Sequence, residues 1–594
     1  MDIITLNRNL HEPIQNRSLK MDEKTADNPA IHKMPVEIMV HILNYMIGED
    51  NRDTFGSRTT RKDEPIPWSV VGWVSRICRR WRDIILSKPD FWAFISLYVD
   101  FNDTYDRRAV NRLKQHLSRS GNALLNVEFI FEQWGPPFDQ HKMPIFKAFL
   151  QPVLTEAHRW RHLRFKGWNF SDDFTKYILQ PLKNQLSSLE SFELIVRRMD
   201  DWDLLVAFRD ALGPSNTCFQ TLHLHTEDAR LLHLDSLAQF PGRFSPGSIR
   251  YLYLDNPLHA SLAFIFLCPN LVTAHFVIPS LGCRHHWVNL PRRGPQFTEV
   301  AANAPCRLPY LTELTVEVTY MSATRADYSY EDVACIFASI EAPGLASLTL
   351  LSDSKRLQDP IDLGALDGRE AFTSSLYTML SKSEGGLDRL RISDVPIRDD
   401  ELIALLGRLP GLKCLEVKEI DRVKISETKS NSGGYLDSDC DEDNPEGRDA
   451  DDENDGPERP KPKPNTIFTT KLLSWLTWSA ERTHLPQLRA IRLTFRDFKN
   501  LQASFEGMLE SRLVPPDHLP THHSPHKRFL DSARLKFTQE GYGKYDWSQM
   551  KGLQAKGLAI WVLFQWIIDE DDPYDEEEED KYHDPDERVL VQLS

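Results

Sequence analysis

Cys268, Cys283, His285, His286 and Cys306 fall within a span of 39 residues, and thiolate and imidazole are the groups that bind zinc. Fingers and ribbons bring such ligands in as closely spaced pairs, and this spacing matches neither, so no metal is expected. His522, His523 and His526 lie in a polar, Pro-rich stretch and read as solvated side chains. The sequence contains no G-x-x-x-x-G-K-[ST], G-x-G-x-x-G, G-x-S-x-G or H-E-x-x-H run. A phosphate cradle, a dinucleotide fold, a nucleophile elbow and a metalloprotease helix therefore all lack a carrier. The expectation is a protein that is not an enzyme and uses no cofactor.

What remains is recognition chemistry, and its residues are set by a short pattern, apolar-x-x-apolar-x-apolar. Clear copies are Leu189-x-x-Phe192-x-Leu194, Ile249-x-x-Leu252-x-Leu254, Leu311-x-x-Leu314-x-Val316, Leu345-x-x-Leu348-x-Leu350, Leu387-x-x-Leu390-x-Ile392, Leu412-x-x-Leu415-x-Val417 and Leu488-x-x-Ile491-x-Leu493. Weaker copies centre on Ile95, Val127, Leu163, Leu222, Ala274 and Leu535. The last three positions alternate as in a strand, so the residues between them point to the opposite face. That face would carry His223, His225, Tyr251, Tyr253 and His275 side by side, with Arg164 and Lys166 before them and Arg389 and Arg391 after. Two readings stay open: a substrate-binding patch of rigid aromatics and histidines, or ordinary solvated positions of an open sheet.

The elements that position these residues recur irregularly, with steps between middle positions of 29 (163 to 192), 30, 30, 22 and 40 (274 to 314) residues. A unit of strand, turn and helix cannot bury its own leucine face, so such units must stack. The fold class expected is α/β: an irregular leucine-rich solenoid with parallel strands inside and helices outside, over residues 99–568. An ordinary α/β domain with leucine-rich strands is the alternative.

The chain has 594 residues and a formal charge of −16. Asp437 to Glu458 holds 12 acids and one Arg, and Asp569 to Glu587 holds 13 acids and one Lys, so these tracts carry −23 and the rest carries +7. Residues 426–464 read as a disordered acidic insertion within the solenoid, residues 569–594 as an acidic tail, and residues 1–30 as a disordered leader. The basic remainder has no aromatic-interleaved Lys/Arg stripe, so no nucleic-acid partner is expected. Eight scattered cysteines without C-x-x-C pairs suit a reduced, intracellular setting, cytoplasmic or nuclear. No signal-type or membrane-spanning apolar stretch is present, so no membrane partner is expected.

Ahead of the repeats, Ile38, Met39, Ile42, Leu43 and Met46 mark a helix that begins at Pro35. After a polar insertion at 48–67, WSVVGWVSRICRRWRDIIL resumes the helical period as one long helix or two short ones. Met34-Pro35-Val-Glu37-Ile38, Ile42-Leu43, Val74-Ser-Arg-Ile77-Cys78-Arg-Arg-Trp81-Arg and Ser87-Lys-Pro89-Asp-Phe91-Trp92 together resemble an F-box, as found in the large F-box-like families of fungi. The resemblance covers residues 31–98 and implies a three-helix domain. It further implies a substrate receptor of a cullin-type (SCF) ubiquitin ligase, bound to a Skp1-type linker through Pro35, Ile38, Ile42, Leu43 and Cys78, with Trp81 and Trp92 as internal packing. A different class of function, a non-ligase scaffold whose repeats and acidic tracts bind a basic partner, is the alternative.

Overall fold

The computed structural model describes residues 34–46, 54–55, 70–99, 107–131, 143–169, 178–198, 208, 210–212, 216–226, 246–255, 258–280, 305–320, 330–352, 369–383, 385–395, 397–418, 470–478, 484–495, 501–513, 530–537, 548–556, 558–564 and 589–592. The first of these form a small helical unit: α1 (Val36–Met46), α2 (Val70–Val74) and α3 (Arg79–Ser87). Pro35 opens α1 by accepting from the Met39 N–H at 3.1 Å. The second helical stretch is split because Cys78 caps α3, its Sγ accepting from the Trp81 N–H at 3.5 Å. Met39, Leu43, Val71, Val74, Trp81, Ile84, Ile85, Phe91 and Trp92 close a core of their own.

Beyond it the chain alternates strand and helix: β1 (Thr54–Phe55), β2 (Phe94–Val99), α4 (Arg107–Ser120), β3 (Leu125–Phe131), α5 (Met143–Leu154), β4 (Trp160–Asn169), β5 (Ser191–Arg198), β6 (Thr221–Thr226), β7 (Tyr251–Asp255), α6 (Leu258–Leu267) and β8 (Thr273–Ser280). It continues through β9 (Cys306–Arg307), β10 (Glu313–Tyr320), α7 (Tyr330–Ser339), β11 (Ile340–Glu341), β12 (Ser347–Ser352), α8 (Arg369–Ser381), β13 (Arg389–Ser393), α9 (Asp399–Leu406) and β14 (Cys414–Lys418). The last elements are α10 (Thr470–Leu476), β15 (Ala490–Phe495), α11 (Gln502–Leu513), β16 (Ser532–Phe537), α12 (Ser548–Ala555), β17 (Ala559–Phe564) and β18 (Val589–Gln592). All but β9 and β11, which pair with each other, lie in one 16-stranded sheet whose order follows the chain. Every pairing in that sheet is parallel except β17 with β18. The protein is thus α/β with a solenoid-like progression of strands.

The register turns the repeated pattern into two continuous buried rows. Val127, Leu163, Phe192, Leu222, Leu252, Ala274, Leu314, Leu348, Leu390, Leu415 and Ile491 lie beside one another from β3 to β15, all buried. Helix residues such as Leu113, Phe149, Phe337, Leu402 and Met508 join them in a single core. One turn recurs before the strands: Cys268-Pro, Leu308-Pro, Ala342-Pro, Leu409-Pro and Leu485-Pro each present a carbonyl to the N–H three residues on, at 3.0–3.4 Å. Proline presets the φ that the turn needs, so the Pro after each apolar residue is a structural signal. The buried Arg512 brings a charge into the core and is met by backbone: it donates to the carbonyls of Leu476, His484 and Leu485 at 2.8–3.2 Å, and burial pulls its pKa down to about 10.

Three readings of the sequence change. The repeat centred on Leu535 is shifted by two, with Ala533 in the first buried row and Leu535 in the second. A further repeat on β17, with Ile560 and Val562 buried, was hidden because Gly557 stands at the first apolar position of the pattern. The polar insertion at 48–67 and the acidic tail at 569–594 each supply a strand: β1 pairs with β2, and β18 pairs with β17, so both ends of the sheet are covered. The leader, the insertion at 426–464 and the rest of the tail lie outside the described residues. Across that insertion β14 still pairs directly with β15, and Asp400 of α9 is ion-paired with Lys471 of α10.

Trp92 joins the helical unit to the sheet. Its indole N–H donates to the Ile85 carbonyl at 2.9 Å, the Arg119 guanidinium lies 4.5 Å above its ring, and His116 of α4 meets it edge-on at 5.1 Å. His116 is buried and its Nε2–H donates to the Phe94 carbonyl at 3.0 Å. Burial, aided by the Arg119 charge, pulls its pKa from 6.5 to about 4. Between those values the unfolded chain takes up a proton that the folded chain refuses, so stability rises with pH through this window. Denaturant unfolding should lose up to about 3 kcal/mol from this group between pH 6.5 and pH 4, and His116→Gln should flatten that part of the profile; an unchanged profile would contradict the assignment.

Candidate functional site

Because the first and third residues after each buried position alternate outward, the face of the sheet turned away from the helices is a grid of side chains about 4.8 Å apart across strands. His223, His225, Tyr253 and His275 are half-buried there, and Tyr251 is 45% exposed, while Leu222, Leu224, Leu252, Leu254 and Phe276 are buried beneath them. All five predicted binding residues therefore lie on one face, on three adjacent strands.

Three of them, His223, Tyr253 and His275, are part of one ladder across eight neighbouring strands. Ser96 donates to Glu128 at 2.9 Å, and Arg164 lies 3.3 Å from Glu128 and 3.2 Å from Glu193. Glu193 is 3.2 Å from His223, whose ring packs on Tyr253 at 3.9 Å between centroids. Tyr253 in turn meets His275 edge-on at 4.5 Å, and His275 Nε2 is 3.3 Å from Glu317. One row further along, His225 Nδ1 is 2.5 Å from Asp255. Each imidazole is thus held by a carboxylate, and Tyr253 stands at the centre between two imidazoles. Burial, and then the negative charges of Asp255, Glu317 and Glu193, push the Tyr253 phenol up to about 12, so it remains a neutral O–H at physiological pH.

Over β5 to β10 the outward charged residues whose side chains are described are Glu193, Asp255, Glu313 and Glu317, and Arg197 follows at the end of β5. Its carboxylates, imidazoles and phenol make this region a surface with acidic, aromatic and hydrogen-bonding centres, suited to a partner segment that brings cationic or donor groups. Asp255 was missing from the sequence-based set although the signal was there: the alternation Tyr251, Tyr253 continues one step to it. At the leading edge of these strands, a groove of about 430 Å³ runs beside Arg250 and Asn270 under the 60% exposed Tyr310.

The other predicted residues behave differently. On the helical unit Pro35 is exposed, Ile38 is 51% exposed and Ile42 is half-buried. Leu43, expected to contact a linker, is instead fully buried in the unit's own core, because it shares the inward stripe of α1 with Met39. Cys78 is half-buried with its sulfur engaged at the α3 cap. Val36, Tyr45, Ile77 and Leu86 are exposed and were missed. Of the cluster weighed as a zinc site, Cys283, His285 and His286 lie outside the described residues. Cys268 is fully buried, and its thiol is pushed up by burial, as is that of the half-buried Cys306. Among the described residues, no group of three His, Cys, Asp or Glu side chains could hold a metal, and no helix is long and apolar enough to cross a membrane.

Compared with models of protein families and with curated proteins, the chain matches none.

Tyr251→Ala should change stability by no more than about 0.5 kcal/mol, as an exposed site does. Tyr253→Ala removes two ring contacts and should cost about 1 to 3 kcal/mol, below the roughly 3 to 5 kcal/mol of a core aromatic. Urea unfolding of the two variants checks this; a larger loss for Tyr251 than for Tyr253 would contradict the register.

Proposed function

We propose that the chain is an adaptor of the F-box type: the helical unit docks a Skp1-type linker of a cullin-based ubiquitin ligase, and the open sheet face holds the protein to be modified. The observation that carries this reading is the surface of the helical unit. Its nine core residues close a compact interior, yet it still presents Val36, Ile38, Tyr45, Ile77 and Leu86 to solvent. Those are five of the eight large apolar side chains exposed among the described residues, concentrated in a small part of the chain, which is the distribution of an interaction surface. Ile38, Ile42 and Tyr45 follow the i, i+4, i+7 spacing of one helix face, offset from the Met39 and Leu43 stripe that faces inward. The F-box-like motif residues supply the identity of the partner.

The recognition half of the proposal rests on the ladder centred on Tyr253. Parallel pairing holds its backbone, and carboxylates hold its histidines, so the side chains meet a partner with little further ordering, which favours affinity. The outward acidic charges argue that the captured segment is basic or donor-rich in this region.

The linker contact has a direct test with purified components. Ile38→Asp combined with Tyr45→Asp places charge in the apolar contact and should weaken binding of a Skp1-type protein by at least about a hundredfold. Both positions are exposed, so the melting curve should be preserved. Leu43→Asp, by contrast, should destabilise the helical unit itself, since it buries an unpaired charge. A folded double variant that binds as well as the parent chain would refute this docking face.

A further inference from the structure

The outward face changes sign along the sheet. β12 is neutral, with Ser347 and Thr349 outward, and from β13 to β16 the outward charged residues are Arg389, Arg391, Glu416, Lys418, Arg492, Arg534 and Lys536. That is six cations against one carboxylate on four adjacent strands.

We propose that this face, β13 to β16, binds an acidic segment of a partner protein, in an extended run of Asp or Glu side chains. The register sets Arg391, Glu416, Arg492 and Arg534 in one row, one residue per strand. Glu416 lies between two of them, 3.1 Å from Arg391 and 3.4 Å from Arg492, and holds both guanidinium groups on the face. Its single charge leaves the pair with an excess of one cation. Lys418 is anchored at 2.6 Å by Asp394, which sits at the end of β13 with a left-handed φ of 59° and also accepts from Ser393. Arg389 and Arg534 are exposed, and among the described residues no ion pair engages either guanidinium. Fixed cations beside open ones make a surface where arriving carboxylates gain charge-assisted, two-pronged hydrogen bonds at low ordering cost.

The same chemistry separates the two anionic polymers that a basic surface attracts. Single nucleic-acid strands are held by aromatic side chains between the phosphate contacts, and among the described residues none projects from this face on β13 to β16. Glu416 in the middle of the row also opposes a continuous phosphate backbone, whereas spaced carboxylates can sit on either side of it. The chain's own tract from Asp437 to Glu458, with 12 acids and one Arg, follows β14 in sequence and has the composition of a competitor.

This inference deepens the recognition half of the proposed function and makes no use of the linker. Loss of linker binding with intact peptide capture would sink the adaptor reading alone, and the reverse would sink this one alone. The test is fluorescence anisotropy with a labelled deca-glutamate peptide at low salt, on the full chain and on the chain lacking residues 429–462. Binding to either form, weakened at least about tenfold by Arg389→Glu with Arg534→Glu, supports the assignment. Lys114→Glu with Lys551→Glu changes the net charge equally on outer helices and should leave binding within about twofold. Absence of binding to both forms overturns the proposal. So does equal weakening by the control pair, or tighter binding of a single-stranded deoxyoligonucleotide of the same charge.

Discussion

A strand with apolar residues at every second position has one face it cannot leave in water, and no single unit of this chain has enough helix to cover it. The parallel pairing of β2 through β17 resolves this by aligning those faces into one shared core, in which Leu222 lies against Phe192 on one side and Leu252 on the other. Everything else in the molecule follows from that alignment. The pairing must continue, so the sheet runs until something stops it, and the short strands β1 and β18 occupy its two ends. The pairing also fixes what stands on the opposite face, because the residues between the buried ones have nowhere else to point.

The outward face is consequently a record of strand sequence at regular spacing, and its chemistry varies slowly along the sheet. Carboxylates, histidines and Tyr253 dominate from β5 to β10, and arginines and lysines from β13 to β16. In the first region each of the three histidines is paired with a carboxylate on a neighbouring strand, His223 with Glu193, His225 with Asp255 and His275 with Glu317. Such pairs add little stability where they are exposed, but they hold the side chains in place. At the other end of the molecule Trp92 belongs to the core of the helical unit while its ring meets Arg119 and His116 of α4. The two halves of the proposed adaptor are thus linked through one packed indole.

Much of this was legible in the sequence because period-two alternation survives any irregularity in repeat length. The outward set of His223, His225, Tyr251, Tyr253 and His275 needed only the register of three strands, and Trp81 and Trp92 were expected inside the helical unit, where they are found. What failed to show had physical reasons. Ala533 is too small to signal a buried strand position, so the β16 repeat was placed by Leu535. The strands β1 and β18 are short and lie beside charged or polar runs that dominate any window of composition. Leu43 and Ile38 look alike in a sequence, and only the packing of α1 against α2 and α3 separates the residue that closes the core from the one left outside. Partner contacts between side chains, such as His275 with Glu317, depend on a diagonal across strands that are far apart in the chain and leave no local mark.

The account stands or falls on the partner held by the helical unit. Affinity capture of the intact chain from its own cells, followed by mass spectrometry, tests it most directly. A Skp1-type linker and a cullin recovered together with the chain, and lost when residues 34–92 are removed, is the result expected of the adaptor. Reproducible recovery of basic proteins with neither linker nor cullin present would contradict it and leave a scaffold without ligase function.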